Sequence, residues 1–207
     1  FGTISALCTC LLVIPTVTKI SQKVGKKNAF IIATLISIVG YILRWWAFEQ
    51  ALNESTHWMM FVSLPLMTFG IGGLFTLMMS MTADVCDLDE LNTGERREGV
   101  FGAVYWWFVK LGTAIAMLMS GWVLSGIGYG RLEEIRNSLQ NGEALLNMPE
   151  AVEIINMLRI ADIAVPVVTA LLAILIMVKY DFTEKRAHQV REELEKRRGK
   201  VKHTDEV

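Results

Sequence analysis

Charge is scarce in this chain and unevenly spread. Only 20% of its 207 residues are Asp, Glu, Lys or Arg, against about 25%, interspersed along the chain, in an ordinary soluble domain. Here the charges bunch and leave long apolar gaps, mean hydropathy is +0.41, and 53% of residues are hydrophobic. That excludes an ordinary soluble domain and a disordered chain. Cysteine is scarce too: three residues cannot build the disulfide framework of a secreted scaffold. Cys8 and Cys10 lie in an apolar run, and two residues apart on a helix they point to different faces, which argues against a metal pair. An excess of one charge sign is also missing: a net charge of −1 makes no case for a nucleic-acid partner. There is no nucleophile–base pair, no metal cluster and no phosphate loop, since Gly25-Lys26-Lys27 lacks every other element of one. We therefore expect no enzyme, no cofactor and no bound metal. An initiator Met and a charged leading region are absent before the first apolar stretch. This reads as a fragment without its start, and not as a signal peptide.

What the chain does have is apolar runs of membrane length. A helix crossing a hydrocarbon core of ~30 Å needs about 20 mostly apolar residues. Five segments come close: 2–18, 28–48, 58–82, 101–127 and 160–180. Helices are the expected form, because lipid cannot satisfy free backbone N–H and C=O groups. The expectation is thus an all-α integral membrane bundle over 1–180, with a helical tail over 181–207. Lys and Arg orient it. The connection 19–27, the connection 83–100 and the tail from Lys179 together carry 15, against three (Arg131, Arg136 and Arg159) on the other side. That bias places the tail and C-terminus in the cytoplasm of a multi-pass protein. The outer connection 128–158 is polar, and 132–139 within it reads as a surface helix on the bundle mouth. In the tail, Ala187, Val190 and Leu194 form a narrow apolar stripe on an otherwise solvated helix whose basic groups lie near an anionic leaflet.

Lys110 is the most informative residue. It lies nine positions after Phe101, so ~14 Å into its helix at ~1.5 Å per residue, near the bilayer centre. A charge there costs at least ~2.5 kcal/mol and should face the bundle interior and a partner. Ala103, Trp106, Thr113, Ala114, Met117 and Gly121 share its face. It is a largely small-residue face suited to close packing or to lining a cavity. Among the residues of this chain no acid lies at matching depth, so its carboxylate partner is expected from a missing part. Arg44 lies roughly 6 Å from its helix end and is expected to snorkel to the interface beside Trp45 and Trp46.

The stretch TADVCDLDELNTGERREG, 82–99, is acid-rich. Asp84 and Asp87 share a helix face at a C-terminal end, where the helix dipole disfavours anions. A cation must compensate them: Arg96, a Lys of the first connection, or a group from elsewhere. The spacing is not that of a calcium loop. We expect an ion-pair latch between inner helix ends. Phe69, Phe75, Gly70, Gly72 and Gly73 in the third run, and Tyr105, Trp106 and Trp107 beside Lys110, are candidate lining for a substrate. Glycine-interrupted helices are one pointer to a transporter's binding site.

The run ADVCDLDELNTGERREGVFGAVYWWFVKLG, with the ending YDFTEKRAHQVREELEKRR, closely resembles the glycoside–pentoside–hexuronide:cation symporters, the melibiose-carrier group of the major facilitator superfamily. The resemblance covers essentially the whole chain. It implies the C-terminal helix bundle of that fold, five transmembrane helices of an original twelve. It implies Lys110 as a residue of cation and sugar coupling, and Asp84, Asp87, Glu90 and Arg96 as a charged cytoplasmic gate. Phe75, Tyr105, Trp106 and Thr113 become candidate sugar-lining residues, although Phe75, Tyr105 and Trp106 depart from the melibiose carriers. The coupling ion would be Na⁺ or H⁺, held mostly by the N-terminal half of the same protein. Partners are then the lipid bilayer of the plasma (inner) membrane, a sugar and that N-terminal half. The other readings are a non-transporting scaffold or sensor of transporter descent, and a transporter of a lipid substrate.

Overall fold

Four apolar runs form helices long and apolar enough to cross a membrane. The computed structural model describes residues 9–53, 58–138 and 148–199. A π-helical turn, Thr9–Val13, leads into α1 (Ile14–Val24). Then follow α2 (Lys26–Asn53), α3 (Trp58–Thr93), α4 (Glu98–Ile127), α5 (Tyr129–Ser138), α6 (Pro149–Val178) and α7 (Glu184–Arg198). The membrane-length helices are α2, α3, α4 and α6, so the chain is a multi-pass membrane protein. The expected first span, 2–18, begins outside the described residues; the rest of it continues as α1 to Val24.

Several boundaries differ from the hydropathy reading. The third helix does not stop at 82 but runs to Thr93, and the fifth span begins at Pro149 and not at 160. Hydropathy marks where a helix leaves lipid; hydrogen bonding carries it further into water. Gly25 and Gly128 do end helices, at φ 83° and 85°, backbone that a side chain disfavours. The Gly25 N–H bonds Ser21 O at 2.9 Å and so closes α1 before α2 turns away. Pro65 and Pro166 sit inside α3 and α6. Thr68 and Thr169, three residues on, donate their hydroxyls to the carbonyls of Pro65 (2.7 Å) and Pro166 (3.0 Å).

The core is small and lies near one end of the bundle. Val13, Val17, Ala29, Phe30, Ala33, Leu77, Met81 and Met177 form it, from the π-helical turn, α1, α2, α3 and α6. α2 and α3 cross closely through their small residues. A Cβ on Gly73 would sit 2.8 Å from the Ala33 Cβ, and one on Gly70 2.5 Å from Ser37 Oγ. The glycine cluster of the third run is therefore a packing contact in an unbroken helix, not the interruption that the sequence suggested.

α4 behaves differently. None of its residues is buried. It rests lightly on α3 and α6 through one side, which includes Phe101, Tyr105, Gly112, Ala116 and Ser120. The tail is the opposite case. Ala187, Val190 and Leu194 are buried at 4%, 4% and 5% exposure as α7 packs on α3. The expected solvated tail is thus docked, and its apolar stripe is the docking face. α5, expected as a surface helix, buries Ile135 and ties to the start of α6 through Arg131 and Glu150 (3.1 Å).

Candidate functional site

Two features stand out: the lone charge of Lys110 inside α4, and a group of charged residues at the end of the bundle that carries α7. Lys110 is twelve residues past Glu98 in a thirty-residue helix, near its midpoint. At ~100° per residue it lies roughly 160° around α4 from Gly112, hence on the side turned away from α6. It is exposed, and no hydrogen bond or ion pair holds it among the described residues. Trp106 and Thr113 share that side. Trp106 is 49% exposed, and the Thr113 hydroxyl is spent on Val109 O at 2.8 Å.

The other sugar-lining candidates lie elsewhere. Tyr105 is on the packed side of α4, in the wall of a cavity of about 520 Å³ that also touches Met81 and Tyr180. Its ring stacks edge-on to Trp106 at 5.4 Å, and its hydroxyl is buried without a hydrogen-bond partner. Phe75 lines a separate cavity of about 280 Å³ between α2, α3 and α6, with Tyr41 and Thr169. The structure thus groups Lys110, Trp106 and Thr113 on one face, and puts Tyr105 and Phe75 in two other places.

The acidic stretch is brought together tightly, with one partner among those expected and one from the tail. Asp84 is buried at 3% exposure and its carboxylate is held from both sides. Lys26, at the start of α2, bonds Oδ2, and Arg191, from α7, bonds Oδ1. Arg191 also reaches Asp87 at 3.6 Å. Arg96 does not pair with Asp84. It bonds Glu98 and lies 4.0 Å from Glu90, and the Glu98 bond holds its guanidinium above the ordinary range. Arg97 makes a two-pronged contact with Asp89, at 2.7 and 3.0 Å. The charge problem at the end of α3 is therefore solved by a Lys of the first connection, one of the options the sequence left open, and by the tail.

Helix ends are interlocked around this cluster. The Lys27 ammonium donates to the carbonyls of Val178 (2.8 Å) and Tyr180 (2.7 Å), a cation on the negative end of α6. The Glu184 carboxylate accepts from the Lys26 backbone N–H at 3.4 Å, an anion on the positive end of α2. Arg197 donates to Leu91 O at 2.7 Å. Burial, followed by Asp84 and Glu184, pushes the Tyr180 phenol above its ordinary pKa. Sequence reasoning missed Arg191, Glu184 and Lys27 here. One signal was available: Arg191 adjoins Val190 and is four residues past Ala187, so it borders the apolar stripe.

At the far end Arg44, expected to reach the interface, pairs with an acid of α6. Its Nε lies 2.8 Å from Asp162 Oδ2, and its guanidinium lies over the Phe48 ring at 5.0 Å. Arg159, expected in a polar loop, is inside α6 and only 9% exposed. It donates to Trp45 O at 3.1 Å and covers the Trp45 ring at 4.5 Å.

Long apolar helices, small-residue crossings and a charged cluster at one end define a polytopic membrane bundle. The family model for the MFS/sugar transport protein family matches residues 1–184. A glucuronide carrier protein homolog of Escherichia coli is 27% identical over 184 residues, 89% of this chain and 36% of that protein. An isoprimeverose transporter of Lactiplantibacillus pentosus is 30% identical over 60% of this chain and 24% of its own. A putative sulfoquinovose importer of Escherichia coli is 28% identical over 88% and 35%. The chain belongs to the MFS/sugar transport proteins, in their glycoside–pentoside–hexuronide:cation symporter branch. It spans about a third of the length of the first of these relatives. No solved structure matches it.

Proposed function

We propose that this chain is the C-terminal part of a twelve-helix symporter that carries a glycoside or small oligosaccharide, driven by Na⁺ or H⁺, through alternating access. The end that bears α7 faces the cytoplasm, as the 15-to-3 bias of Lys and Arg favours. The observation that carries the reading is Lys110: a cation at mid-helix, on the face of α4 that the other described residues leave uncovered. A charge at that depth needs a counter-charge. A carboxylate on the N-terminal half supplies it, and exchange of that partner with cation occupancy couples the ion to the sugar. Trp106, on the same face, offers an apolar surface for a sugar ring. The charged cluster around Asp84 acts as the cytoplasmic gate, an ion-pair latch between inner helix ends of this bundle that forms and breaks as the bundle rocks.

The test is uptake of labelled sugar into vesicles bearing the intact transporter, with and without a sodium or proton gradient. Replacing Lys110 with Val or Cys should remove gradient-driven accumulation. Unchanged coupling in either variant would overturn the mechanism.

A further inference from the structure

One polar group beside the charged cluster is idle. The Tyr180 hydroxyl is buried and has no hydrogen-bond partner, whereas buried polar groups are nearly always satisfied. Tyr180 stands in the wall between two cavities. One, of about 430 Å³, it shares with Asp84 and Glu184; the other, of about 520 Å³, it shares with Tyr105. Its ring meets Phe182 edge-on at 6.4 Å, a loose contact, so the side chain has room to turn. Its backbone does not. The Tyr180 carbonyl accepts from the Lys27 ammonium at 2.7 Å, which ties this residue to the start of α2 and not to α7.

A second observation comes from the two cations on Asp84. Lys26, on Oδ2, belongs to α2; Arg191, on Oδ1, belongs to α7. A terminal helix held by a few contacts opens locally far more often than the whole molecule unfolds. When α7 lifts, Lys26 stays and Arg191 leaves. Glu184, the other acid of the cavity, leaves with it, being on α7 as well. A buried carboxylate that loses a cation is costly. The donor left beside it is the Tyr180 phenol. The two are electrically close: after burial, Asp84 is the next cause that raises the phenol above its ordinary pKa.

We infer that Tyr180 is the reserve partner of Asp84: when α7 lifts and takes Arg191 away, the phenol turns through the shared cavity and donates to Oδ1, so the tail leaves without stranding the carboxylate. While α7 is docked, Arg191 occupies that oxygen and the hydroxyl stays unbonded. Tyr180 is then a positioning residue of the gate proposed above. Its role rests on that proposal only for the reason the tail lifts during transport; the exchange of partners occurs at every lifting of α7.

Limited trypsin digestion of the intact transporter in bilayer nanodiscs tests this. Cleavage after Arg186, which is exposed on α7, tracks the fraction of time the tail is lifted. Tyr180→Phe keeps the ring and removes only the reserve donor. The melting temperature should stay unchanged, because the docked state loses no bond, and cleavage should slow several-fold, the worth of about one hydrogen bond. Loss of a merely structural contact would speed cleavage instead. In an Arg191→Met background the phenol serves Asp84 whether the tail is down or lifted. Adding Tyr180→Phe there should leave the cleavage rate where Arg191→Met alone put it, and should lower the melting temperature. Cleavage of Tyr180→Phe at the parent's rate or faster would overturn the inference, and so would equal slowing in both backgrounds. The first arm stands alone where Arg191→Met does not fold. Neither arm reads transport, so a failure of the gate proposal is seen separately, in uptake.

Discussion

Lys26 and Arg191 hold the two oxygens of a single buried carboxylate, that of Asp84. One comes from the start of α2 and the other from α7, so three separate elements meet at one charge. Breaking a buried pair by removing one partner costs about 3–5 kcal/mol, because the remaining charge is left without compensation. Asp84→Asn should therefore free the tail: trypsin should cut at Arg186 and Lys196 much faster than in the parent. A charge swap, Asp84→Arg with Arg191→Asp, should recover part of the protection. The swap of Asp84 with Arg96 should recover none, since Arg96 is bound to Glu98 and Glu90. Rescue by the Arg96 swap would show that the pairing is wrong.

The α2–α3 crossing is set by missing side chains. Glycine to alanine within an exposed helix position gains about 1 kcal/mol of helix propensity. At Gly73 the new methyl would meet Ala33 at 2.8 Å, and overpacking of this kind costs about 1–3 kcal/mol. Gly73→Ala should lower the melting temperature, and Gly102→Ala, with nothing within 4 Å, should leave it unchanged or raise it. Similar melting shifts of the same sign would refute the close crossing.

Arg44 and Arg159 should differ in weight. The Arg44–Asp162 pair is partly exposed, at 27% and 44%, and pairs in such surroundings contribute about 0.2–1 kcal/mol. Arg159 is buried and bonds the Trp45 carbonyl, and bonds to a charged donor are worth about 1.5–3 kcal/mol. Arg159→Met should thus be more destabilising than Asp162→Asn in a thermal melt. The reverse order would contradict the geometry.

Tyr180 gives the tail an alkaline limit. Its phenol ionises above the ordinary 10.0 because burial and then Asp84 oppose the anion. The unfolded chain releases this proton first, so the folded state loses stability as pH rises above 10. No such effect arises below it. Absorbance at the phenolate band should include a late-titrating component, and Tyr180→Phe should diminish it. A difference spectrum centred at the ordinary value would count against the buried phenol.

Much of this was legible before any coordinates. The 20% charge content and its bunching require helices in lipid, because no other open backbone satisfies itself there. The central position of Lys110 follows from counting residues along its run. The tail stripe of Ala187, Val190 and Leu194 is visible as spacing, and so is the need for a cation near Asp84. Yet periodicity could not say that the stripe docks on α3, or that Gly70 and Gly73 close a crossing in place of breaking a helix.

What the sequence determined by itself is local: which runs are apolar enough to leave water, where small residues fall, and where the isolated charges Asp84 and Lys110 sit along their helices. Only the tertiary structure decided the partners. It gave Asp84 to Lys26 and Arg191, Arg44 to Asp162, and nothing among the described residues to Lys110. It also separated Tyr105 and Phe75 from the Lys110 face. The reason is physical: helix formation depends on neighbours a few residues away, whereas an ion pair depends on which helix ends the packed bundle brings within a few ångströms, and spacing along the chain does not carry that.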